Sequence, residues 1–445
     1  MEMNLFLETL MKAAKAQGLT AAEAYIASGS SFECCATQGQ ISDYSVNDTR
    51  GVGFRGMYNG KIGYAGTEAL DEDAISALIR GVKESAELSE DDSGTDIYAG
   101  DSMYPSFEKP SEDMSSIQER LDFCLALEKN ALAYDKAISS VSESIMQSGT
   151  GTVRLVNTFG LDVSYEKTFA LAYLQPIAKD GDSVSSIGVL HCAAQFEGLN
   201  GEKLVNEAGE AVVFSLHAAP VKSGVYRVIL SNKAMQSLLS TFAGVFSAEN
   251  AQESMSLLKG KEGEKIAAAT VTLMDDPLLE GGFASKPFDA EGVKAYSKAV
   301  IEKGVLKTLL HNRKTAKKQG VQSTANAGKA GYASTIRVAP SNFFFVPGEK
   351  SREALEADLG SGVVITSLSG LHSGANAVSG DFSLLAKGYT VEDGIKAKPV
   401  EQITIAGNFY KVLESIRAVG NDLFFPGSGI GSPSVDIGEI SIAGE

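Results

Sequence analysis

The chain has 445 residues, with 44% hydrophobic and 21% charged side chains, which is typical of a globular protein of roughly two or three domains. Its formal net charge of −17 argues against direct binding of nucleic acid, because neutralising phosphates requires clustered Lys and Arg. No run of about 18 apolar residues occurs, so a membrane span is not expected.

The first predicted module covers residues 1–88. Its start, "MEMNLFLETLMKAAKAQG", places apolar residues at helical spacing between charges, which favours a soluble amphipathic helix over a signal peptide. Alternating sequence follows, in which Asn59-Gly60 lies between two strand-like runs and predicts a tight hairpin turn. The segment "LDEDAISALIRGVKESAELS" then predicts a helix with Asp71 as its N-cap.

An acidic linker is predicted at 89–114, before a second module at 115–220. The linker carries glycines and two prolines and reads as a long surface connection. The second module begins with the helical pattern "SSIQERLDFCLALEKNALAYD" and continues with about three or four antiparallel strands. It ends with a helix around 200–216. Both modules therefore show a helix followed by strands, a similarity of pattern and not of sequence.

The remaining residues, 221–445, predict a larger β-rich domain. Glycines are frequent there, and helices are expected near 232–247 and at 309–319. The fold class predicted for the whole chain is α+β. Two N-terminal modules should each pack helices on a mostly antiparallel sheet, and the C-terminal domain should be strongly curved or barrel-like.

The segment "SLLSTFAGVFSAEN" at 237–250 lies in the first of these two helices. Its apolar side chains form one continuous stripe, consisting of Leu238, Leu239, Phe242, Val245 and Phe246. Ser240 and Thr241 lie off the centre of the stripe, and hydroxyls in such positions can bond back to the preceding turn. Taken alone, the segment predicts a buried core helix.

Motifs for nucleotide and metal binding are weak. Residues 51–56 match GxGxxG but lead into the predicted hairpin and not into a helix, so their glycines are attributed to close strand packing. None of the four histidines has a partner at metal-binding spacing. The four cysteines form no CxxC pair, which favours a reducing cytoplasm.

A glycine-rich loop at 369–383 is the candidate for serine chemistry. It combines four side chains of the right types, His372, Ser373, Ser379 and Asp381. Catalytic triads are normally assembled from distant segments, so a connecting loop is the favoured interpretation. A stand-alone hydrolase that uses this loop remains an alternative function.

A series of segments, in order along the chain, resembles the TldD/PmbA family. The resemblance begins with "TRGVGFRGMYNGKIGYAGT" in the first module and continues through "LLSTFAGVFSAENAQE", "LLKGKEGEKIAAATVTLMDDP" and "GGFASKPFDAEGV". It ends with "VSGDFSLLAKGYTVEDG", "PVEQITIAGNFYKVLESIRAVGNDL" and "GSPSVDIGEISIAG". The likeness thus extends over essentially the whole chain.

This resemblance implies a role in proteolysis. The family contains a metallopeptidase subunit, TldD, and a paralogous partner, TldE or PmbA, which lacks the metal site. The pair acts as a cytoplasmic heterodimer on unfolded proteins and peptides. An older family label, modulator of DNA gyrase, leaves a gyrase-associated binding protein without a protease role as a further alternative.

The resemblance also assigns four positions to the missing metal site. In the TldD branch the helix at 237–250 carries HExxxH, and its His, Glu and His positions fall here on Ser240, Thr241 and Val245. The cysteine position falls on Ser428 in "FPGSGIG". A hydroxyl is a poor zinc ligand, valine is none, and without Glu no general base would activate a zinc-bound water. The chain therefore resembles the TldE branch, with no metal of its own and zinc in a TldD-like partner.

Other expectations follow from the same resemblance. Because Val245 can return to the apolar stripe, the helix is expected to be ordinary or only mildly bent. Candidate substrate-binding residues around the family's cleft are Ser379, Gly380, Asp381, Phe382 and Asn408, although glycines there can equally make turns. Substrate would be held by backbone pairing to a strand edge. A lone chain is expected to form a homodimer through its partner surface.

Overall fold

The computed structural model describes residues 1–89, 96–110 and 113–445, so part of the linker predicted at 89–114 lies outside the described residues. The α+β fold class is confirmed. The helices of the N-terminal half are α1 (Met3–Ala16), α2 (Glu72–Leu88), α3 (Ile117–Tyr134) and α4 (Gly201–Phe214). Its strands are β1 (Ala21–Thr37), β2 (Gln40–Tyr58), β3 (Lys61–Thr67), β4 (Ile138–Asn157), β5 (Asp162–Asp180), β6 (Ser183–Ser186) and β7 (Val189–Ala193).

Local signals in this half have the predicted effect. The side chain of Asp71 accepts a hydrogen bond from the backbone N–H of Ala74 at 2.8 Å and so caps α2. Asn59 and Gly60 have φ angles of 51° and 77°, and they join β2 to β3 in a two-residue hairpin. These elements form because the residues that specify them are neighbours in sequence.

The strands of the N-terminal half join into one antiparallel sheet. Its order is β3-β2-β1-β4-β5-β6, and β7 pairs with β5. Strand β1 lies in the middle, where Ala24 is opposite Phe54 of β2 on one side and Val156 of β4 on the other. Helices α1 and α2 pack on the part of the sheet nearest β2, and α3 and α4 on the part nearest β5.

The C-terminal half contains many short strands. Its helices are α5 (Asn232–Phe242), α6 (Ala248–Gln252), α7 (Arg313–Gln319), α8 (Arg352–Leu359), α9 (Leu371–Gly374) and α10 (Phe409–Ser415). Its strands are β8 (Gly224–Leu230), β9 (Leu273–Asp275), β10 (Lys298–Glu302), β11 (Val305–Leu306), β12 (Ala327–Gly328), β13 (Arg337–Val338), β14 (Phe343–Phe345), β15 (Gly362–Ser369), β16 (Asp381–Glu392), β17 (Ile395–Asn408), β18 (Ala418–Val419), β19 (Ile430–Gly431) and β20 (Val435–Ala443).

Five of these strands close into a barrel, as the sequence predicted. The order is β8-β15-β16-β17-β20, and the ring closes because β20 pairs with both β17 and β8. A second sheet has the order β11-β10-β9-β14-β19. Helix α5 and the residues after it contribute to the hydrophobic core that both sheets share.

The predicted helix at 232–247 is correct in its burial and wrong in its regularity. All five residues of the apolar stripe are buried. The α-helix nevertheless ends at Phe242, residues 243–246 form a 3-10 turn, and α6 begins at Ala248. The break is held from outside the helix, because the Asn250 side chain donates a 2.8 Å hydrogen bond to the carbonyl of Gly244. A tighter turn lets Val245 and Phe246 both face the core.

The N-terminal sheet packs directly against the C-terminal domain. A Cβ on Gly53 of β2 would lie 1.8 Å from the carbonyl oxygen of Tyr332, so this contact requires glycine. The GxGxxG match therefore lies within a strand and serves close packing, as predicted. The described part of the linker contributes as well, since the Tyr104 hydroxyl donates to the carbonyl of Gly292 at 2.7 Å.

The helix expected at 309–319 begins later, at Arg313. The side chain of Asn312 accepts a 2.9 Å hydrogen bond from the backbone N–H of Thr315, which fixes the first turn at that point. Within the described residues, no helix is both long enough and apolar enough to cross a membrane.

Candidate functional site

The three helix positions assigned to the missing metal site differ in their surroundings. Ser240 is exposed. The Thr241 hydroxyl donates to the carbonyl of Ser237 at 2.9 Å, the back-bond predicted for this helix. Val245 is 1% exposed and belongs to the hydrophobic core. Val245 therefore has no atom that could bind a metal, and the Thr241 hydroxyl is hydrogen-bonded to the helix backbone.

Ser428 lies in an exposed loop before β19. Its hydroxyl accepts a 3.4 Å hydrogen bond from the backbone N–H of Ile430. No hydrogen bond joins Ser428 to Ser240 or Thr241 within residues 1–89, 96–110 and 113–445. In the same ranges, no group of three or more His, Cys, Asp and Glu side chains is arranged to hold a metal ion.

The candidate substrate-binding residues are brought together at the junction of β16, β17 and α10. The Asn408 side-chain amide donates to the carbonyl of Ser379 and to Asp381 Oδ1, both at 2.8 Å. These contacts with Asn408, followed by Ser379, hold the pKa of Asp381 below its usual value. Gly380 has φ +82°, and its carbonyl accepts from the backbone N–H of Phe409. The polar groups therefore satisfy one another.

Phenylalanines link this junction to helix α5. Phe382 is buried, and its ring centroid lies 6.3 Å from that of Phe242. Phe242 also stacks on Phe409 with a centroid distance of 4.7 Å and an interplanar angle of 10°. The junction and the last turn of α5 are thus parts of one packed unit.

The glycine-rich loop at 369–383 does not assemble a catalytic triad. His372 is exposed on the short helix α9. Within the described residues, His372 makes no hydrogen bond to Ser373, Ser379 or Asp381. Ser373 donates to the carbonyl of Gly370, as a turn residue does. The geometry agrees with the connecting-loop interpretation.

Sequence reasoning missed a buried ionic cluster beneath the N-terminal sheet. Arg55 Nε of β2 donates to Glu23 Oε1 of β1 at 2.7 Å, and Arg55 Nη1 lies 3.8 Å from Glu291 Oε1. All three side chains are at most 3% exposed. Among the residues that the structure describes, Glu23 Oε2 and both terminal nitrogens of Arg55 have no hydrogen-bond partner. A glutamate within the apolar run "AAEAYIAS" is the signal that could have revealed the cluster.

Burial shifts the pKa values of both carboxyl groups. Burial, together with the neighbouring carboxylate of Asp289, raises the pKa of Glu291 to about 7, against the opposing effect of Arg55. Burial likewise raises the pKa of Glu23, and Arg55 again opposes the shift. The cluster therefore connects protonation to the packing of the sheet on the C-terminal domain.

Replacing Glu291 with Gln should change how stability depends on pH. The pKa of Glu291 rises from 4.5 to about 7 on folding, so the folded state binds more protons and loses stability as pH rises through that window. Glu291→Gln removes this loss, and its stability relative to the wild type should increase by on the order of 2 kcal/mol between pH 4.5 and 7. Urea titrations at several pH values measure it. A Glu8→Gln control on the exposed face of α1 should show the same pH dependence of the unfolding free energy as the wild type. If Glu291→Gln also showed the pH dependence of the wild type, the prediction would be contradicted.

The sequence matches three family models in order. They are the PmbA/TldA metallopeptidase domain 1 at residues 22–87, the central domain at 110–215 and the C-terminal domain at 223–444. Metalloprotease PmbA of Escherichia coli O157:H7 is 26% identical over 413 residues, which cover 92% of this chain and 88% of that protein.

Two solved structures are similar over nearly the whole chain. A candidate modulator of a DNA gyrase from Thermotoga maritima has a TM-score of 0.92 and 32% identity, covering 99% of this chain and 100% of the other. TldE from Thermococcus kodakarensis has a TM-score of 0.90 at 24% identity, with 99% and 100% coverage, and shares the fold.

Proposed function

We propose, since the chain belongs to the TldD/PmbA family of metallopeptidases, that it is the non-catalytic partner subunit of a cytoplasmic TldD/TldE-type protease. In this role it binds a TldD-like subunit that carries the zinc. The pair would act on unfolded polypeptides or peptides. The other family label, modulator of DNA gyrase, belongs to a relative and has no counterpart among the contacts described above.

The observation that carries this proposal is the packing of Val245. A second histidine at this position would place an imidazole inside the hydrophobic core to which Val245 belongs. Thr241 cannot serve as the general base that zinc chemistry requires, because a hydroxyl is not basic near neutral pH and this one donates to the helix backbone. The two positions together support a subunit that does not activate water.

The junction of Ser379, Gly380, Asp381, Phe382 and Asn408 is the proposed contact region for substrate or partner. It presents the exposed carboxylate of Asp381 at the first residue of β16. Since its hydrogen bonds are internal, the junction would act as a rigid strand end against which an extended peptide can pair. In the absence of a partner, the same surface would support a homodimer.

The test is coexpression of the chain with a TldD-like subunit, followed by copurification, zinc analysis and cleavage of an unfolded protein. We expect the two chains to copurify, zinc to remain below one equivalent in this chain alone, and proteolysis to require the pair. A TldD-like subunit with its metal-binding histidines replaced is the control, and it should bind without cleaving. Stoichiometric zinc together with chelator-sensitive cleavage by this chain alone would refute the proposal, as would copurification with gyrase instead of the TldD-like subunit.

A further inference from the structure

A cavity of about 620 Å³ lies between the N-terminal sheet and the C-terminal domain. Strands β1, β4 and β5 form one wall, with Tyr25 and Tyr165 among its side chains. Residues 286–290 and 327–340 form the other. Its size is that of a pocket for a small molecule or a few residues of a peptide.

Three lysines line this cavity, and carboxylates act on two of them only through their charge: Glu23 on Lys329, and Asp289 and Asp275 on Lys286. Lys167, Lys286 and Lys329 form no salt bridge and no side-chain hydrogen bond within the described residues, and Lys329 lies over the Tyr25 ring with 5.1 Å between Nζ and the centroid. Arg337, also on the wall, is already paired with Glu249 at 3.0 Å. The cavity is therefore a cationic site in a chain whose net charge is −17.

The nearby carboxylate of Asp289 does not neutralise these lysines by direct contact. Its Oδ1 accepts from the backbone N–H groups of Glu291 and Val293, and its Oδ2 accepts from that of Ala327. Both oxygens are thus occupied by the loop that they hold in place.

Burial in this cavity lowers the pKa values of two of the lysines. Burial lowers the pKa of Lys329 to about 8, and the charge of Arg55 adds to the effect. Burial also lowers the pKa of Lys286. An anion in the cavity would reverse both effects by pairing with the charged forms.

Another part of the wall is apolar and aromatic, beside the hydroxyl-bearing Ser334 and Thr335. Phe288 packs edge-on against Tyr165, with ring centroids 5.3 Å apart, and Val153 lies beside them. The hydroxyls of Tyr25 and Tyr165 have no hydrogen-bond partner in the part of the chain that the structure describes. Free phenol donors, free ammonium groups and aromatic walls together suit an anion that is attached to an apolar group.

We propose that this cavity binds the carboxylate of a peptide, with the lysines Lys286 and Lys329 on the carboxylate and the aromatic side chains against the adjoining residue. The identification of the ligand as a peptide rests on the proposed function. A C-terminal carboxylate and an acidic side chain share this chemistry, because lysine acts as a point charge and does not distinguish between them. The cavity would hold one end of a chain whose cleavage occurs on the partner subunit.

The experiment measures binding of fluorescent peptides to the full-length chain. One probe is an unstructured decapeptide without Asp or Glu that ends in leucine with a free carboxylate. The second is its C-terminal amide, and the third is an amide with one internal Glu. Sulfate, whose charge is constant between pH 6 and 9, serves as competitor.

The free-acid peptide should bind more tightly than the amide. Lys286→Met and Lys329→Met should each weaken its binding by about tenfold, because each removes a hydrogen bond to a charged group, and should leave the amide unaffected. Lys179→Met removes the same charge from an exposed position on β5 and should change nothing. Affinity for the acid should fall between pH 7 and 9, as Lys329 loses its proton. Recovered binding by the Glu-containing amide would identify an acidic side chain as a second source of the carboxylate.

Equal binding of acid and amide would overturn the proposal, and so would sulfate binding without any preference for the acid peptide. Lys329→Met provides an independent test if Lys286→Met does not fold. A chain that binds the acid peptide through these lysines but does not copurify with a TldD-like subunit would support the cavity and refute the proposed function. If the chain forms an active protease with a TldD-like subunit but its peptide binding is unchanged by Lys286→Met and Lys329→Met, the proposed function would be supported and the cavity proposal refuted.

Discussion

Replacing Arg55 with Met should lower the free energy of unfolding by about 3–5 kcal/mol at neutral pH. The substitution keeps most of the side-chain volume but removes the cation that lies against both buried carboxylates, leaving Glu23 with the more remote charge of Lys329 and Glu291 with that of Arg313. An uncompensated buried carboxylate is costly in its charged form, so both groups would take up protons at the expense of stability. The loss should therefore become smaller as pH falls toward 4.5.

The measurement is urea denaturation of the wild type and Arg55→Met at several pH values, followed by circular dichroism, since the chain has no tryptophan. Arg154→Met is the matched control. Arg154 pairs with Asp162 through two hydrogen bonds but is partly exposed, so its loss should cost about 1 kcal/mol or less. Similar losses for the two variants, or a loss at Arg55 that does not depend on pH, would argue against an ionic role for the cluster.

Phe242→Ala should be similarly destabilising, by about 3–5 kcal/mol. Phe242 is fully buried, stacks on Phe409 and contacts Phe382, so it joins the end of α5 to the strand ends of β16 and β17. Removing the ring leaves a cavity between segments that the adjoining 3-10 turn holds in place. The surrounding side chains have little freedom to fill it.

The control for this prediction is two residues away. Ser240→Ala changes an exposed position on the same helix and should alter stability by less than about 0.5 kcal/mol. Phe242→Leu should recover much of what Phe242→Ala loses, because it restores part of the volume. Thermal and urea denaturation of the three variants provide the comparison. A Phe242→Ala protein as stable as Ser240→Ala would show that the aromatic unit is not part of the stabilising core.

The sequence predicted the features whose causes are local. Asp71 and Ala74 are three residues apart, and Asn59-Gly60 is a turn by itself, so each is specified within one short window. The apolar stripe of α5 is likewise a local pattern. The break in that helix was not predicted, because it depends on a hydrogen bond from Asn250, beyond the periodic segment.

Features that depend on contacts between segments far apart in the chain could not be predicted from the sequence. Nothing in the alternation of β1 indicates that its second neighbour is β4, more than one helix later in the chain. Glu23 and Arg55 are opposite each other in the register of β1 and β2, yet Glu291 reaches them from the other domain. The lysine-lined cavity has the same origin, since Lys167 and Lys286 meet only when the sheet packs on the C-terminal domain.

Closure of the barrel has a consequence for how the protein is made. Strand β8 pairs with β20, so that Tyr226 is opposite Ile440, and neither the hydrogen bonds of β8 nor those of β17 are complete until β20 has been synthesised. While translation is in progress, the edges of β8 and β17 remain open and the phenylalanines of the core lack their final cover. Open edges next to apolar surface are the usual starting point of aggregation. The C-terminal domain should thus depend on protection by chaperones until its last strand leaves the ribosome, whereas the N-terminal sheet can form earlier.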